Sequence, residues 1–271
     1  MSVVSAFLVP GNPLPFLKPD NPPWAPLAQA YKAAGRALRD SKPDVILVYS
    51  TQWIAVLDEL WQTRKHVEGL HVDENWYEYG DLPFDMKIDV ELANACVEGS
   101  KAIGISSKGV DYDAFPIDTG TIVAAGFMNP GNALPLVIAA NNLYHDAATT
   151  AKLAQMAVEK AKGQKKRVAV VGVGGLSGTI FRKKIDVAQD HIASEADDAA
   201  NKAMLALLEK GDRAAVDAAS GDYAKKARVD MGFKHLSWIM GAVGDSYAGA
   251  KIHAYGPTYG SGAAVVEFKL K

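Results

Sequence analysis

Short apolar segments alternate with segments of helical periodicity along most of this chain. An apolar run at Val3–Val9 stops at Pro10, apolar residues recur at helical spacing over residues 27–38, and a second apolar run covers residues 45–49. Such repetition predicts an α/β fold with a central sheet, mostly parallel or mixed, flanked by helices. Because the sequence contains no internal repeat and no linker-like stretch, residues 1–271 are expected to form a single domain.

The same alternation continues to the carboxyl end of the chain. We expect helices at residues 90–100, 147–162 and 223–240, an Ala-rich helical stretch within residues 185–210, and strands at residues 121–127, 134–139, 168–171, 251–255 and 263–269. Ligands of open α/β sheets bind in the loops that follow the strands. Functional residues are therefore expected in the loops at residues 10–15, 50–53, 118–120 and 172–178.

Composition and charge exclude several classes of protein. The chain has 29 Lys and Arg residues against 31 Asp and Glu residues, so it offers no basic surplus for a nucleic-acid backbone. Its single cysteine, Cys96, cannot form an intramolecular disulfide, and the start of the sequence lacks the positively charged region of a signal peptide. We expect a cytoplasmic protein with no nucleic-acid partner.

The most apolar stretch, residues 121–140, does not have the continuity of a membrane helix. Asn129, Pro130 and Gly131 interrupt it, whereas a membrane helix needs about 20 continuous apolar residues. The stretch is predicted to form two buried strands around a turn, and no membrane association is expected.

A glycine-rich segment at residues 172–178 follows a predicted strand and invites comparison with dinucleotide-binding loops. Gly172 and Gly174 match the start of that motif, but Ser177 stands where its third glycine is expected. A tight turn that needs the conformational freedom of glycine is the favoured interpretation.

Two histidines could contribute to a metal site. His66 or His71 together with Asp73 or Glu74 offers ligand types that metals accept, but the spacing follows no known ligand pattern. A solvated loop is the favoured interpretation of this polar segment.

Four motifs in the predicted loops and the late helical region share a pattern with a known enzyme family. The first strand ends in LVPGNP at residues 8–13, the next strand ends in VYSTQW at residues 48–53, the glycine-rich loop contains GGLSG at residues 174–178, and a late segment reads MGFKHLSW at residues 231–238. In these motifs the chain resembles the class III extradiol dioxygenases. The resemblance spans nearly the whole chain and implies the fold of that family.

The resemblance also implies where iron ligands would stand. Enzymes of this family hold Fe(II) with two histidines and one glutamate, which leaves positions open for an aromatic substrate and dioxygen. Gly11 and Gln52 stand at the positions of the two histidines, and Met231 stands at the position of the glutamate. Glycine offers no ligand, and an amide and a thioether suit Fe(II) poorly, so no metal or cofactor is expected in this chain.

The proton-transfer positions of the family are altered as well. The histidine of the Gly-Gly-x-Ser-His loop corresponds to Gly178, and the histidine of an Asp-His-Gly element corresponds to Thr119. General acid or base catalysis is therefore not expected at either position. Near neighbours such as Asn12, Asp230 or His235 are the alternative source of ligands. On one helix His235 would share the face of Met231, whereas Asp230 would point about 100° away.

Several enzymes of this family are assembled from two different chains, and this implies a role for a chain without ligands. The expected role is that of a non-catalytic α subunit in an extradiol dioxygenase complex that degrades an aromatic compound. A homologous catalytic β subunit would hold the Fe(II), and two copies of each chain would form an α2β2 assembly.

Two other hypotheses remain open. The vacant pocket could bind a small aromatic ligand that regulates the partner, with Tyr49, Trp53 and the glycine-rich loop as its walls. Alternatively, the chain could act alone as a metal-dependent enzyme with non-standard ligands that include His66 or His71.

Overall fold

The computed structural model describes residues 2–178 and 184–271. Its strands are β1 (Val3–Val9), β2 (Val45–Ala55), β3 (Glu59–Gln62), β4 (His66–His71), β5 (Leu82–Lys87), β6 (Ser107–Val110), β7 (Leu136–Asn142), β8 (Val168–Val173), β9 (Tyr247–Thr258) and β10 (Ser261–Leu270). Eight of them form one sheet in the order β6-β3-β7-β2-β8-β1-β10-β9, and β4 and β5 form a separate antiparallel pair.

The large sheet is mixed. Strands β7, β2, β8 and β1 are parallel to one another, whereas β10 and β9 continue the sheet in antiparallel pairing at one side. At the other side β3 is antiparallel to β7 and parallel to β6. The predicted α/β class with a central mixed sheet is confirmed.

Helices cover both faces of the parallel strands. They are α1 (Leu14–Leu17), α2 (Ala25–Asp40), α3 (Val90–Ala102), α4 (Thr119–Met128), α5 (Ala147–Gly163), α6 (Glu195–Lys210), α7 (Arg213–Lys226) and α8 (Lys234–Val243). One group packs α2 against α4, and a second group packs α5 against α3 and α8. Every residue of β7 and β8 is buried, as expected for strands with helices on both faces.

One predicted strand is wrong. Residues 121–127 belong to helix α4, whose first turn is capped by the Asp118 side chain accepting a hydrogen bond from the Thr121 backbone N–H. The segment is apolar on nearly every side, so its pattern has no period that separates a buried strand from a buried helix. The cap at Asp118 is the local signal that favours the helix.

The single helix predicted at residues 223–240 is also wrong, because the structure has two helices there. Helix α7 ends at Lys226 and α8 begins at Lys234. Between them Met231, Gly232 and Phe233 adopt left-handed backbone conformations, with φ of 46°, 68° and 67°. This run breaks the helical path and turns α8 to pack against α5.

Strands β3, β4, β5 and β6 were not predicted from the sequence. They are four to six residues long, and β4 and β5 contain mostly exposed or half-buried residues. Their formation depends on pairing with distant segments rather than on an apolar alternation of their own.

Among the helices of residues 2–178 and 184–271, none combines the length and the apolar character of a membrane-spanning segment.

Candidate functional site

A cleft of about 420 Å³ opens where several loops meet at the carboxyl end of β2. Its walls come from five separate segments of the chain, as expected for a site on an α/β sheet. The lining residues are Asn12, Pro13, Thr51, Gln52, Ile54, His71, Asp73, Glu74, Asn75, Trp76, Asp118, Thr119, Asp230 and Met231.

Four of the five positions that the family resemblance singles out lie at this cleft. Gln52, Thr119 and Met231 are on its wall. A Cβ atom at Gly11 would lie 3.0 Å from the Gln52 Nε2 atom, so Gly11 is adjacent to the same wall. The fifth position, Gly178, is not on the wall: its N–H donates to the Ala227 carbonyl at 3.0 Å.

A histidine reaches the cleft from an element that the sequence did not predict. His71 ends strand β4, and its Nε2 lies 2.8 Å from the Thr119 hydroxyl oxygen. That hydroxyl donates to the Asp73 Oδ2 at 2.6 Å, so it accepts from the imidazole N–H. Asp73 is 8% exposed, and the interpretation of its segment as a solvated loop is therefore wrong for this residue.

His66 lies in a different environment from His71. Its Nε2 is 2.8 Å from the Asp85 Oδ1 across the β4–β5 pair, and it does not line the cleft. Because the two histidines are five residues apart on one strand, their side chains leave opposite faces. They do not converge on a common ion, and in the described residues neither belongs to a group of three or more His, Cys, Asp or Glu side chains that could hold a metal. The hypothesis of a metal-dependent enzyme with His66 or His71 among its ligands therefore gains no support from the structure.

The aromatic residues proposed to line the pocket are elsewhere. Tyr49 stacks on Trp238 with ring centroids 5.3 Å apart and donates to Asn141, and Trp53 packs edge-on against Phe115. Trp76 is the aromatic side chain on the cleft wall. The expected roles of Tyr49 and Trp53 as walls of the pocket are wrong, because both rings are buried in the core.

Comparisons with known proteins identify the family. Residues 14–267 match the family described as the catalytic LigB subunit of aromatic ring-opening dioxygenase. The chain belongs to this family. The resemblance to class III extradiol dioxygenases is confirmed.

Two relatives and one solved structure are similar to this LigB family member. The chain is 52% identical over 271 residues to a 2-aminophenol 1,6-dioxygenase alpha subunit from a Pseudomonas species, and the alignment covers all of both chains. It is 26% identical over 288 residues to a 2-aminophenol 1,6-dioxygenase beta subunit, also from a Pseudomonas species, covering 99% of this chain and 94% of that protein. An uncharacterized protein from Escherichia coli K12 has a similar fold, with a TM-score of 0.70, 14% identity, and coverage of 98% of this chain and 99% of that one.

The cleft of this LigB family member does not fit Fe(II). Gly11 supplies no donor, Gln52 supplies a neutral amide, and Met231 supplies a thioether. Non-haem Fe(II) sites of oxygenases combine two imidazoles with one anionic carboxylate. Within residues 2–178 and 184–271 no group of three or more His, Cys, Asp or Glu side chains is placed to hold a metal ion.

The near neighbours of these positions have other partners. Asn12 Oδ1 accepts the Leu14 N–H at 3.0 Å at the start of α1. Asp230 lines the cleft together with Met231 rather than pointing away from it, and its Oδ2 accepts the Gly175 N–H at 2.7 Å. Burial raises the pKa of Asp230, and the hydrogen bond from Gly175 partly offsets that rise.

His235 does not approach the cleft, so the expectation that it shares a face with Met231 is wrong. The left-handed run at residues 231–233 separates the two residues, and the imidazole of His235 is fully buried. A Cβ atom at Gly174 would lie 2.6 Å from its Nδ1. Burial lowers the pKa of His235 to about 3, so the ring is neutral near pH 7.

The glycine-rich segment serves close packing in this structure. A Cβ atom at Gly172 would lie 2.4 Å from the His235 carbonyl oxygen, and one at Gly174 would collide with the His235 ring. The glycines therefore let α8 approach β8, which supports the interpretation as a structural element over that as a nucleotide-binding loop. Residues 179–183, where a dinucleotide motif would continue, lie outside the described residues.

A group of ionisable residues lies at β3 and the start of α8, outside the lining of the cleft. Glu59 in β3 is 1% exposed, and its Oε2 lies 3.3 Å from the His145 Nδ1. Lys234 at the start of α8 is 7% exposed and donates to the Asn142 carbonyl at 2.8 Å. Burial raises the pKa of Glu59 to about 7, against the opposing effects of His145 and Lys234.

The raised pKa of Glu59 predicts a pH-dependent stability. The folded state holds this proton more tightly than the unfolded chain, so the contribution is fully present below about pH 4.5 and is lost as the pH rises through about 7. Glu59→Gln removes the titration. The stability of the variant relative to the wild type is expected to rise by about 2–3 kcal/mol between pH 4.5 and pH 8.

Urea unfolding at several pH values measures this difference. Glu159→Gln is the matched control, because the Glu159 side chain is largely exposed and pairs with Lys162 on the same helix. The stability of the control is expected to follow that of the wild type at every pH. A difference between Glu59→Gln and the wild type that does not change with pH would contradict the prediction.

Proposed function

We propose that this chain is the non-catalytic, structural alpha subunit of a two-subunit extradiol dioxygenase that acts on 2-aminophenol in aromatic catabolism. A homologous catalytic beta subunit holds Fe(II), binds 2-aminophenol and dioxygen, and opens the ring to 2-aminomuconate 6-semialdehyde, with both oxygen atoms entering the product. Residues 1–271 of this chain act as one domain. Two copies of each chain form an α2β2 assembly in the cytoplasm.

The chemistry of the cleft carries this proposal. Gln52 and Met231 face one cavity beside Gly11, in a chain that is 52% identical along its full length to a protein named as an alpha subunit. The two named subunits of the relative imply a two-chain enzyme. In the proposed complex the beta subunit binds iron and catalyses the reaction, whereas this chain has a structural role.

A duplicated fold has a physical reason to remain after its chemistry is lost. Homodimers of a single ancestor use self-complementary surfaces, and two diverged copies can reuse the same contacts. Loss of this chain would then expose the interface of the catalytic subunit, which would lower its stability rather than remove its ligands.

Metal analysis of the isolated chain tests the proposal. After purification in the presence of Fe(II) under anaerobic conditions, we expect less than about 0.1 iron atom per chain and no ring cleavage. The complex with a beta subunit, prepared in the same way, is the positive control. Stoichiometric iron together with ring cleavage by the isolated chain would refute the proposal.

The residues that line the cleft support a regulatory role as a second candidate function. Trp76 and Met231 provide apolar surface for an aromatic ring, and His71 is one of many polar groups of the lining that could bind its substituents. Calorimetric titration of the isolated chain with 2-aminophenol distinguishes the two roles. Heat that disappears in Trp76→Ala would favour regulation, and no heat at millimolar ligand would favour a purely structural role.

A further inference from the structure

Exposed large hydrophobic side chains are concentrated at one place on this chain. Ten such side chains are exposed in the described residues, and five of them lie in two short segments at the carboxyl ends of β2 and β7. We call these five residues the apolar patch: Ile54, Val56, Leu57, Leu143 and Tyr144, with exposures of 48%, 49%, 87%, 45% and 81%. Concentrated apolar surface of this kind marks interaction sites.

The two segments of the apolar patch are adjacent and held in place. The Leu143 N–H donates to the Ala55 carbonyl at 2.9 Å, which extends the pairing of β2 with β7. The Asn142 side chain donates to the Asp58 carbonyl at 3.1 Å and accepts the Tyr144 N–H at 3.0 Å. A surface fixed by hydrogen bonds loses little conformational entropy when a partner binds.

The charge around the apolar patch fits a protein partner. Residues 54–57 and 142–144 contain no charged side chain. Charged groups begin at its edge, where Asp58 pairs with Lys108 at 2.8 Å and accepts from Ser106 at 2.5 Å. Protein interfaces have this organisation, an apolar centre depleted of charge and a polar rim.

We propose that the apolar patch is the centre of the docking surface for the homologous catalytic subunit. This inference rests on the proposed function, which requires each chain of the pair to carry a permanent contact face. Both named subunits of the relative align with nearly all of this chain, so the partner has the same fold and comparable size. A standard interface buries about 800 Å² on each partner around such a centre.

The position of the patch connects the docking surface with the cleft. Ile54 belongs to the patch and also lines the cleft. A subunit that covers the patch therefore lies at the mouth of the cleft. Docking buries Leu57 and Tyr144, the two most exposed members of the patch, and gives these side chains the apolar contacts that they lack in the single chain.

Size-exclusion chromatography with light scattering tests the proposal on full-length chains. Wild-type chain and a homologous beta subunit are expected to form a stable complex, and failure of this first step would reject the proposed function. Leu57→Asp and Tyr144→Asp are each expected to weaken the complex at least about 100-fold, because a charge is then buried at the centre of the interface. Tyr112→Asp is the matched control, since Tyr112 is 70% exposed outside the patch.

Thiol labelling distinguishes direct contact from an indirect effect. The only cysteine, Cys96, is fully buried, so a thiol introduced by Leu57→Cys reacts selectively. The beta subunit is expected to slow its labelling at least about tenfold, whereas labelling of Tyr112→Cys is expected to stay unchanged. A stable complex that tolerates both Asp variants and leaves position 57 reactive would overturn the proposal, as would a homodimer that alone depends on the patch.

Discussion

Replacing Gly11 and Gln52 by histidine and Met231 by glutamate in one chain is expected to create a divalent metal site. The three positions already meet at one cleft, because Gln52 and Met231 are on its wall and Gly11 lies against Gln52. The substitutions supply two imidazoles and one carboxylate, the ligand set that Fe(II) and Co(II) accept. We expect at least about a 100-fold rise in Co(II) affinity over the wild type.

Titration with Co(II), followed by its visible absorption under anaerobic conditions, measures this effect. The space for a side chain at position 11 depends on Gln52, since a Cβ there would lie 3.0 Å from its Nε2 and 3.2 Å from the Val173 side chain. The double variant Gly11→His/Gln52→His and the single variant Met231→Glu are graded controls, and both are expected to bind more weakly than the triple variant. A folded triple variant that binds Co(II) no better than the wild type would reject these three positions as the former ligand positions.

Replacing Asp190 by alanine is expected to lower the free energy of unfolding by about 4 kcal/mol, because buried donors lose their acceptor. Asp190 is 7% exposed. Its Oδ2 accepts the Trp24 indole N–H at 2.7 Å and the Tyr259 N–H at 2.6 Å, and its Oδ1 accepts the Gly260 N–H at 2.8 Å. One carboxylate thus joins the beginning of α2 to the turn between β9 and β10.

Chemical unfolding of Asp190→Ala and Asp186→Ala compares a buried acceptor with an exposed one. Asp186 is exposed, and it accepts the Ala188 N–H at the start of a short 3-10 turn, so its loss is expected to cost less than about 1 kcal/mol. Asp190→Ala is also expected to disturb the cleft wall. Tyr259 packs edge-on against Trp76, with ring centroids 4.8 Å apart, and Trp76 lines the cleft. Equal stabilities of the two variants would show that the three hydrogen bonds contribute little.

The main strands and long helices were predictable because their apolar patterns are local. Strands β1 and β8 are short apolar runs bounded by polar or turn-forming residues, and α2 and α5 carry apolar residues at helical spacing. Strand β2 begins with such a run at residues 45–49, but it continues to Ala55 through residues 50–53, which were expected to form a loop. Helix α4 was not predictable in this way, since nearly all its residues are buried and no polar face reveals its period. Short strands such as β3 and β6 form only because a distant segment completes their pairing.

The candidate site was predictable in its residue types and only partly in its geometry. The loss of ligand chemistry at Gly11, Gln52 and Met231 is a property of the residues themselves. The meeting of His71, Asp73 and Thr119 was not predictable, because a hydrogen bond across 48 residues has no local signal. The sequence did indicate that this segment could matter, because His71, Asp73 and Glu74 were considered as metal ligands.

The sequence alone determined the alternation that forms the sheet and the absence of iron-binding side chains at the three positions. These features depend on local periodicity and on the donor atoms of each residue, and neither needs knowledge of neighbours in space. Only the tertiary structure decided that Asp230 joins Met231 at the cleft while His235 is buried behind Gly174. The left-handed run at residues 231–233 turns the chain between them, and α8 then packs against β8 and α5, which are distant in the sequence.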